Sequence, residues 1–414
     1  MKKLLYTLAV ITFMTFGSGQ EIQFLHDNPE WQQNFEALGE ASFEEIDLRE
    51  VPTQFDTEVY KSRVKVDLTS PRAPGLFKWW FGYRANELTD AELLADLTDV
   101  WDEVGDNYAP GVREALTANG KPYAFPLHVS YWPWFYSKAV YEKYDLEPPQ
   151  TWAELEEQLA LFKEEGISGI GNTIGNSRWT AFIPFQEILY RLDKTFYTDL
   201  MEGRAHWTDP TAVRAMELWR DWLEAGYFAP QDATYVEDFP RMLQEGTLAF
   251  APFGDWYGGI LQTAGLVSGE DYGMFFPPAI EEAGEGATIL EISAITVGEN
   301  SEDKDLAKEW LRWYSTSEGA AQTLWETFKF APTDNLPEGL LAEEDPARAE
   351  ELAAVENYPD KLIRLWEATP VEIVEKAVDE FNAVIADPSR YEEALNAIEA
   401  TAADVWPDYG VSDY

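Results

Sequence analysis

Residues 123–136 read Tyr-Ala-Phe-Pro-Leu-His-Val-Ser-Tyr-Trp-Pro-Trp-Phe-Tyr. This extended run contains two prolines and is longer than an ordinary strand of about 5–6 residues. A run of this kind can leave one domain and enter another. It therefore predicts a chain that crosses between two domains at this point.

Strand and helix patterns alternate on the N-terminal side of this run. Strands are predicted over 21–27, 43–51 and 76–81, and helices over 28–38 and 56–68, where apolar residues recur at helical spacing. This β-α-β-α-β order is typical of a parallel sheet in an α/β protein.

A second α/β unit is predicted after the run. Thr151 and Glu154 form a capping box that predicts a helix through Glu165. The patterns further predict strands at 166–175, 247–253, 272–277 and 290–297, and helices at about 178–192, 210–224 and 235–246. The strand at 290–297 is expected to cross back to the first lobe, and the chain beyond 302 is expected to be mostly helical to about 405.

These patterns predict two α/β lobes that are connected more than once, with a helical C-terminal part. Lobe 1 is expected to comprise 20–128 plus about 290–330, and lobe 2 to comprise 129–289 plus about 331–414. A chain of 414 residues is long enough for two or three such cores.

The composition excludes several classes of function. The chain has 76 acidic against 30 basic residues, and the net charge of −46 would repel nucleic acids and anionic membranes. The acidic residues are dispersed, which favours a solvated acidic surface of the kind adapted to high salt. The chain has no cysteine, so disulfides, thiolate metal sites and lipid attachment at a signal-peptide cysteine are excluded.

Residues 1–19 have the pattern of a secretory signal peptide. Lys2 and Lys3 precede the apolar run Leu4 to Phe16, and Gly17 to Gly19 offer small residues for cleavage. The apolar run is shorter than the roughly 20 residues that a transmembrane helix needs. We therefore expect an exported, soluble protein with no lipid anchor.

Most catalytic fingerprints are missing from the sequence. It contains no Gly-x-Ser-x-Gly elbow, and its glycines at 169, 171 and 175 miss the dinucleotide-binding spacing. The three histidines are isolated, so no metal and no cofactor is predicted. Paired carboxylates for glycoside hydrolysis remain open, because 76 acidic residues supply many pairs.

Four clusters of aromatic and polar residues lie where predicted strands give way to loops. They are 77–83, 131–134, 172–179 and 255–257. Ligands bind at that end of the strands in open α/β sheets, so the four together favour a binding cleft. For Asp255 two interpretations stand at this point: the N-cap of a following helix, or a contact to a ligand that stacks on Trp256 and Tyr257.

Four further stretches carry a family resemblance. Ala73–Trp80, Leu88–Trp101, Asn119–Leu127 and Tyr141–Trp152 resemble segments of the maltose and multiple-sugar-binding proteins that serve ABC transporters. Two positions depart from the usual pattern, namely Gly75 in place of Asp and Glu92 in place of Gly. The resemblance extends over essentially the whole chain after the signal peptide.

The resemblance implies a two-lobe periplasmic binding protein fold whose hinge strands let the lobes close on a ligand. It also implies a sugar ligand, a membrane permease as partner, a monomer, and neither catalysis nor a cofactor. Glu291 stands where relatives usually have a Gly-Gly or Gly-Trp turn, so it is expected to influence specificity. Arg178 would clamp hydroxyls with its fork.

The clusters and the resemblance together give a set of candidate ligand-binding residues. They are His26, Asp27, Trp80, Tyr83, His128, Tyr131, Trp132, Asn176, Arg178, Trp179, Asp255, Trp256 and Glu291. The predicted function is binding of a neutral mono- or oligosaccharide for an ABC transporter permease. The alternatives are a secreted glycoside hydrolase, a binding protein for a cationic solute such as a polyamine, and a structural or adhesion domain.

Overall fold

A computed structural model of the protein describes residues 20–27, 32–42, 46–51, 57–70, 73–108, 111–172, 177–328, 345–412 and 414. The predicted signal peptide at 1–19 and the candidate residue Asn176 lie outside the described residues. In the described part of the chain, no helix is both long enough and apolar enough to span a bilayer.

The structure contains strands and helices in alternation along most of the chain. The strands are β1 (Gln20–Leu25), β2 (Ile46–Val51), β3 (Leu76–Trp80), β4 (Thr117–Ala118), β5 (Lys121–Pro122), β6 (Ala124–Tyr131), β7 (Trp134–Ser137), β8 (Ser168–Ile170), β9 (Leu248–Pro252), β10 (Tyr272–Phe275), β11 (Ala287–Val297) and β12 (Asp360–Ile363). The first helices are α1 (Gln32–Glu40), α2 (Thr57–Leu68), α3 (Tyr83–Thr89), α4 (Thr98–Val104), α5 (Val112–Ala115), α6 (Lys138–Tyr144), α7 (Trp152–Glu164), α8 (Phe182–Leu192) and α9 (Lys194–Met201). They are followed by α10 (Pro210–Ala225), α11 (Asp238–Gln244), α12 (Tyr257–Thr263), α13 (Lys304–Thr316), α14 (Glu318–Phe328), α15 (Pro346–Val355), α16 (Leu365–Ala368), α17 (Val371–Ala386) and α18 (Tyr391–Val405).

The first sheet has six strands in the order β12-β11-β3-β1-β2, and β6 also pairs with β11. Strand β1 runs parallel to both β2 and β3, which confirms the predicted β-α-β-α-β unit. Strand β11 is antiparallel to β3 and to β6. The register between β11 and β6 shifts between Ser293 and Ala294, next to Pro126, which has no N–H to donate to a ladder.

The second sheet has the order β10-β7-β9-β8. Strand β7 is antiparallel to β9 and to β10, whereas β8 runs parallel to β9. Since β6 and β7 lie in different sheets and are separated only by Trp132 and Pro133, the extended run crosses from one sheet to the other, as predicted. Strand β11 follows β10 and returns the chain to the first sheet, which confirms the second crossing.

Helix starts follow from local side-chain chemistry. Thr151 and Glu154 make both hydrogen bonds of the predicted capping box at the start of α7. The Asp193 carboxylate accepts from the N–H groups of Thr195 and Phe196, and so begins α9 as a separate helix that the sequence interpretation did not resolve.

The C-terminal part is mostly helical, as expected, with one strand. Strand β12 pairs in parallel with β11 of the first sheet, although it falls in the 331–414 stretch assigned to lobe 2 by sequence. Its four residues, Asp-Lys-Leu-Ile, are too few for a recognisable strand alternation. The pairing with β11 therefore comes from tertiary contacts rather than from a local pattern.

Candidate functional site

Two indole rings and one guanidinium converge on a single carboxylate where the chain crosses between the sheets. Trp132 and Trp256 each donate their Nε1–H to Oε2 of Glu291 at 3.1 Å. Arg364 Nη1 lies 2.9 Å from the same oxygen. We call these four residues the Glu291 cluster.

The elements of both sheets place the members of the Glu291 cluster. Glu291 lies on β11, opposite Ser130 of β6, and Trp132 follows β6 directly. Trp256 follows β9, and Arg364 follows β12. The cluster therefore joins the crossing strands to the loops at the end of each sheet.

Arg364 is fixed on its other side by Glu367, which accepts from both its Nε and its Nη2. Burial alone would lower the pKa of Arg364, but the charges of Glu291 and Glu367 outweigh it and raise that pKa. Oε2 of Glu291 thus accepts two indole hydrogen bonds and pairs with one guanidinium, whereas Oε1 receives no hydrogen bond from any described residue. Oε1 is therefore the acceptor that Glu291 can offer to a ligand.

Three partly exposed aromatic rings lie beside this carboxylate. The ring centroids of Trp179 and Trp256 are 6.3 Å apart with an interplanar angle of 51°. Tyr235 packs edge-on against both rings, at 5.9 Å from Trp179 and 6.3 Å from Trp256. We call these three residues the aromatic wall. Tyr235 is absent from the sequence-based candidates, because the sequence places it at the start of a predicted helix (235–246) and not at the end of a strand.

Asp255 makes contacts within the protein that the sequence did not predict. Its Oδ1 accepts from Ser130 Oγ at 2.6 Å and lies 3.0 Å from His128 Nε2. Its Oδ2 accepts from the N–H of Tyr131 at 3.2 Å and lies 3.0 Å from Arg348 Nη2. Asp255 is 2% exposed, so it ties the crossing strand to the second sheet.

The expectation that Asp255 caps a helix is wrong. Helix α12 begins at Tyr257 with Trp256 at its N-cap, and no side chain caps it. The carboxylate is instead drawn to Arg348 and His128. Burial would raise the pKa of Asp255, but these two groups lower it below its usual value.

A second buried carboxyl group lies near Asp255. Glu351 is 1% exposed, neither of its oxygens has a hydrogen-bond partner in the described residues, and Arg348 Nε is 3.9 Å away. Burial and the negative charge of Asp255 raise the pKa of Glu351 to about 8. Glu351 is therefore mostly a neutral acid at pH 7.

The remaining candidates on the first sheet make contacts of other kinds. The register pairs Trp80 with Ser293, so Trp80 and Glu291 lie on the same face of the sheet. Trp80 is 6% exposed and packs edge-on against Tyr60. Asp27 pairs with Lys78 at 3.0 Å.

Three further candidates pack away from the Glu291 cluster in the contacts the structure describes. His26 packs against Phe35 with ring centroids 4.4 Å apart. Tyr83 packs against Trp406 at 5.9 Å. The two Nη atoms of Arg178 pair with Glu375 at 2.9 Å and with Asp379 at 2.5 Å, so its fork is held by protein carboxylates.

The described part of the chain contains no group of three or more His, Cys, Asp or Glu residues able to hold a metal ion. Sequence reasoning missed Arg348, Arg364 and Glu367. The i,i+3 spacing of Arg348 with Glu351, and of Arg364 with Glu367, was a weak signal for ion-paired residues.

Comparisons with known proteins agree with this geometry. A model of the family described as bacterial extracellular solute-binding protein matches residues 27–321. An ABC transporter extracellular-binding protein of Pyrococcus horikoshii is 25% identical over 257 residues, which are 60% of this chain and 55% of the relative. The maltotriose-binding protein of Pyrococcus abyssi is 23% identical over 313 residues, which are 73% of this chain and 63% of the relative. The chain thus spans a little over half the length of these relatives.

A solved structure from a study of xylan utilization by Caldanaerobius polysaccharolyticus has the same fold. It superposes with a TM-score of 0.80 at 19% identity, over 92% of this chain and 99% of that one. Two α/β sheets joined by crossing strands, together with a family model that matches well over half of the chain, settle the family. The protein belongs to the bacterial extracellular solute-binding proteins.

Proposed function

We propose that the protein binds a neutral sugar or oligosaccharide outside the cytoplasmic membrane and delivers it to an ABC transporter permease, without converting it chemically. One observation carries the proposal. One oxygen of Glu291 is engaged by two indole hydrogen bonds and a guanidinium, the other is open to a ligand, and the residue lies beside the aromatic wall.

This arrangement fits the two surfaces of a sugar ring. The apolar face of the ring stacks on Trp256 or Trp179, and its hydroxyls donate to Oε1 of Glu291. Because Arg364 and two indoles hold the carboxylate in place, the acceptor is oriented before the ligand arrives. A preorganised acceptor favours affinity and specificity.

The charges around the site favour a neutral ligand over a polyamine. The carboxylates of Glu291 and Asp255 are paired with Arg364 and Arg348 at 2.9 and 3.0 Å. Because these carboxylates already pair with guanidinium groups, an ammonium ligand would gain little additional charge attraction there, whereas a hydroxyl needs only the open lone pairs. The printed names of the relative and the solved structure, maltotriose-binding and xylan utilization, support neutral oligosaccharides as the first probes.

The glycoside hydrolase alternative has one observation in its favour. Asp255 and Glu351 have pKa values shifted in opposite directions, as the base and acid of a glycosidase do. Both residues are at most 2% exposed, however, and both oxygens of Asp255 are occupied by protein donors. A substrate would reach neither, so binding without hydrolysis is the better proposal.

We further propose that each sheet forms the core of one lobe, with lobe 1 at 20–128 plus about 290–330 and lobe 2 at 129–289 plus about 331–414, except that β12 belongs to lobe 1 because it pairs with β11. The two crossings, β6 to β7 and β10 to β11, would then act as the hinge. Residues 1–19 would direct export, and the net charge of −46 would keep the protein a soluble monomer in saline surroundings.

The experiment is calorimetry with maltotriose, xylotriose and spermidine on the wild type and two variants. We expect one of the sugars to bind. Glu291→Gln should weaken it by about 10- to 100-fold, the range for losing a charge-assisted hydrogen bond. Trp256→Leu should weaken it as well, through lost stacking.

Two matched controls accompany these variants. Glu285→Gln removes an exposed carboxylate just before β11, and Trp152→Leu removes an indole that stacks on Trp222, away from the site. Binding of spermidine but of neither sugar would contradict the proposal. Turnover of chromogenic glycosides that Asp255→Asn abolishes would replace it with the hydrolase alternative.

A further inference from the structure

Three cations converge on one carboxylate away from the Glu291 cluster. Glu375 on α17 pairs with Lys61 Nζ at 3.0 Å, Arg84 Nη2 at 3.0 Å and Arg178 Nη1 at 2.9 Å. The chain has only 30 basic residues against 76 acidic ones, so three of them around a single acid is an unusual concentration.

Two of these cations lie on helices that pack against the first sheet. Lys61 lies on α2, and its neighbour Tyr60 donates its hydroxyl to the carbonyl oxygens of Leu25 on β1 and Lys78 on β3. Arg84 lies on α3, and its carbonyl oxygen accepts from the indole of Trp79 on β3. Helices α2 and α3 are therefore fixed to the first sheet.

Glu375 and the third cation, Arg178, lie on segments that pack on the side of the second sheet. Arg178 precedes Trp179, which packs against Phe253 just after β9. The side chain of Asn382 on α17 donates to the carbonyl oxygen of Arg178 at 2.9 Å. The Lys61–Glu375 and Arg84–Glu375 pairs consequently bridge the two halves of the molecule, each of which is built around one of the two sheets.

The bridge is extended by Trp366 of α16. Arg84 Cζ lies 3.8 Å from the centre of the Trp366 ring, and Arg84 Nε donates to the Trp366 carbonyl oxygen at 3.0 Å. Both side-chain hydrogen bonds described for Arg84 thus reach across to residues 365–386. Arg84 is only 1% exposed, so its charge depends on these partners.

We propose that Glu375 is a latch that holds the two halves together before any ligand binds, and that it thereby sets the affinity of the receptor. Burial opposes ionisation of Glu375, but the charges of Arg84 and Lys61 and the hydrogen bond from Arg178 lower its pKa to about 2. The latch is therefore charged throughout the physiological range. The affinity of a ligand that requires the closed form falls in proportion to the population of that form.

The test compares Glu375→Gln with Asp379→Asn, and needs no sugar. Asp379 lies one turn further along α17 and, among the described residues, forms an ion pair with Arg178 alone, so its loss leaves the bridge intact. Small-angle scattering should show a larger radius of gyration for Glu375→Gln and no change for Asp379→Asn. Circular dichroism and a thermal melt confirm that both variants are folded.

Energy transfer between two dyes gives an independent readout. The chain has no cysteine, so Val66→Cys and Val267→Cys, at positions 67% and 49% exposed, can be labelled cleanly. Transfer efficiency should shift in Glu375→Gln, and adding Lys61→Met to that variant should shift it no further. Raising salt from about 0.1 M to about 1 M shortens the screening length from about 10 Å to about 3 Å, and should move the wild type toward Glu375→Gln.

Identical radii and transfer efficiencies for Glu375→Gln and the wild type would overturn the latch, as would an equal shift in Asp379→Asn. A second arm uses maltotriose and rests on the proposed function. There, Glu375→Gln should weaken equilibrium binding by about ten-fold. If the wild type does not bind maltotriose, that arm counts against the sugar assignment, whereas the sugar-free arm still decides the latch.

Discussion

Replacing Glu351 by Gln tests the buried neutral acid beside Asp255. The pKa of Glu351 is raised from an ordinary 4.5 to about 8, by burial first and by the charge of Asp255 second. The folded protein therefore binds a proton at Glu351 that the unfolded chain releases between pH 4.5 and 8. The contribution of this carboxyl group to stability is fully present below pH 4.5 and is lost as pH rises through 8.

The magnitude follows from that interval. Each pH unit within it corresponds to about 1.4 kcal/mol of unfolding free energy, so the whole interval amounts to about 5 kcal/mol. Glu351→Gln keeps the shape but cannot ionise. Relative to the wild type, we expect the variant to be about equally stable at pH 4.5, about 3 kcal/mol more stable at pH 7, and about 5 kcal/mol more stable at pH 9.

The assay is urea denaturation at these three pH values in a fixed high salt concentration. The control is Glu350→Gln, which removes a carboxylate from the exposed side of the same helix. Differencing the variant against the wild type isolates Glu351 from Arg348, Asp345, Lys361 and Tyr131, which share its surroundings. A stability difference that is the same at pH 4.5 and pH 9 would refute the reasoning, because it would mean that Glu351 ionises as freely in the folded state as in the unfolded one.

Two other predictions concern contacts between segments that are distant in sequence. Asp255→Asn leaves Arg348 and His128 without their carboxylate, and should lower the unfolding free energy by about 3–5 kcal/mol in urea denaturation. The exposed Asp232→Asn should have no effect. A loss below about 1 kcal/mol for Asp255→Asn would show that the Asp255 carboxylate does not hold these segments together. Gly82→Ala would place a methyl group 2.3 Å from the carbonyl oxygen of Glu367 at a backbone φ of 72°. It should lower the melting temperature more than Gly111→Ala, where φ is 89° and the new methyl group would meet no described atom within 4 Å beyond its chain neighbours. Equal effects at the two glycines would show that backbone strain alone matters and that α3 does not press against α16.

The sequence predicts those parts of the structure that local chemistry specifies. The capping box at Thr151 and the crossing at 123–136 depend on neighbouring residues, and both are confirmed. The alternation before residue 81 likewise encodes the first parallel strands. Local patterns are sufficient in these places because the residues that form each pattern lie within one turn or one strand of each other.

The site itself depends on partners that are distant in sequence. Asp255 was a plausible N-cap because nothing nearby shows that Arg348 and His128 will surround it. In the sequence Glu291 stands out only as a departure from the turn usual in relatives, and its three partners come from three separate segments. Asn176 stays a prediction, since it lies outside the described residues.

The position of Glu291 on a crossing strand has a consequence for how this receptor could evolve. Strand β11 both carries the proposed acceptor and returns the chain between the halves, so a substitution at Glu291 would alter ligand recognition and the mechanics of opening at once. The rings of Trp179 and Tyr235 lie on segments that stay within the second half. A new ligand preference would therefore be reached most readily by exchanging those rings, while the acidic residue on the strand is retained.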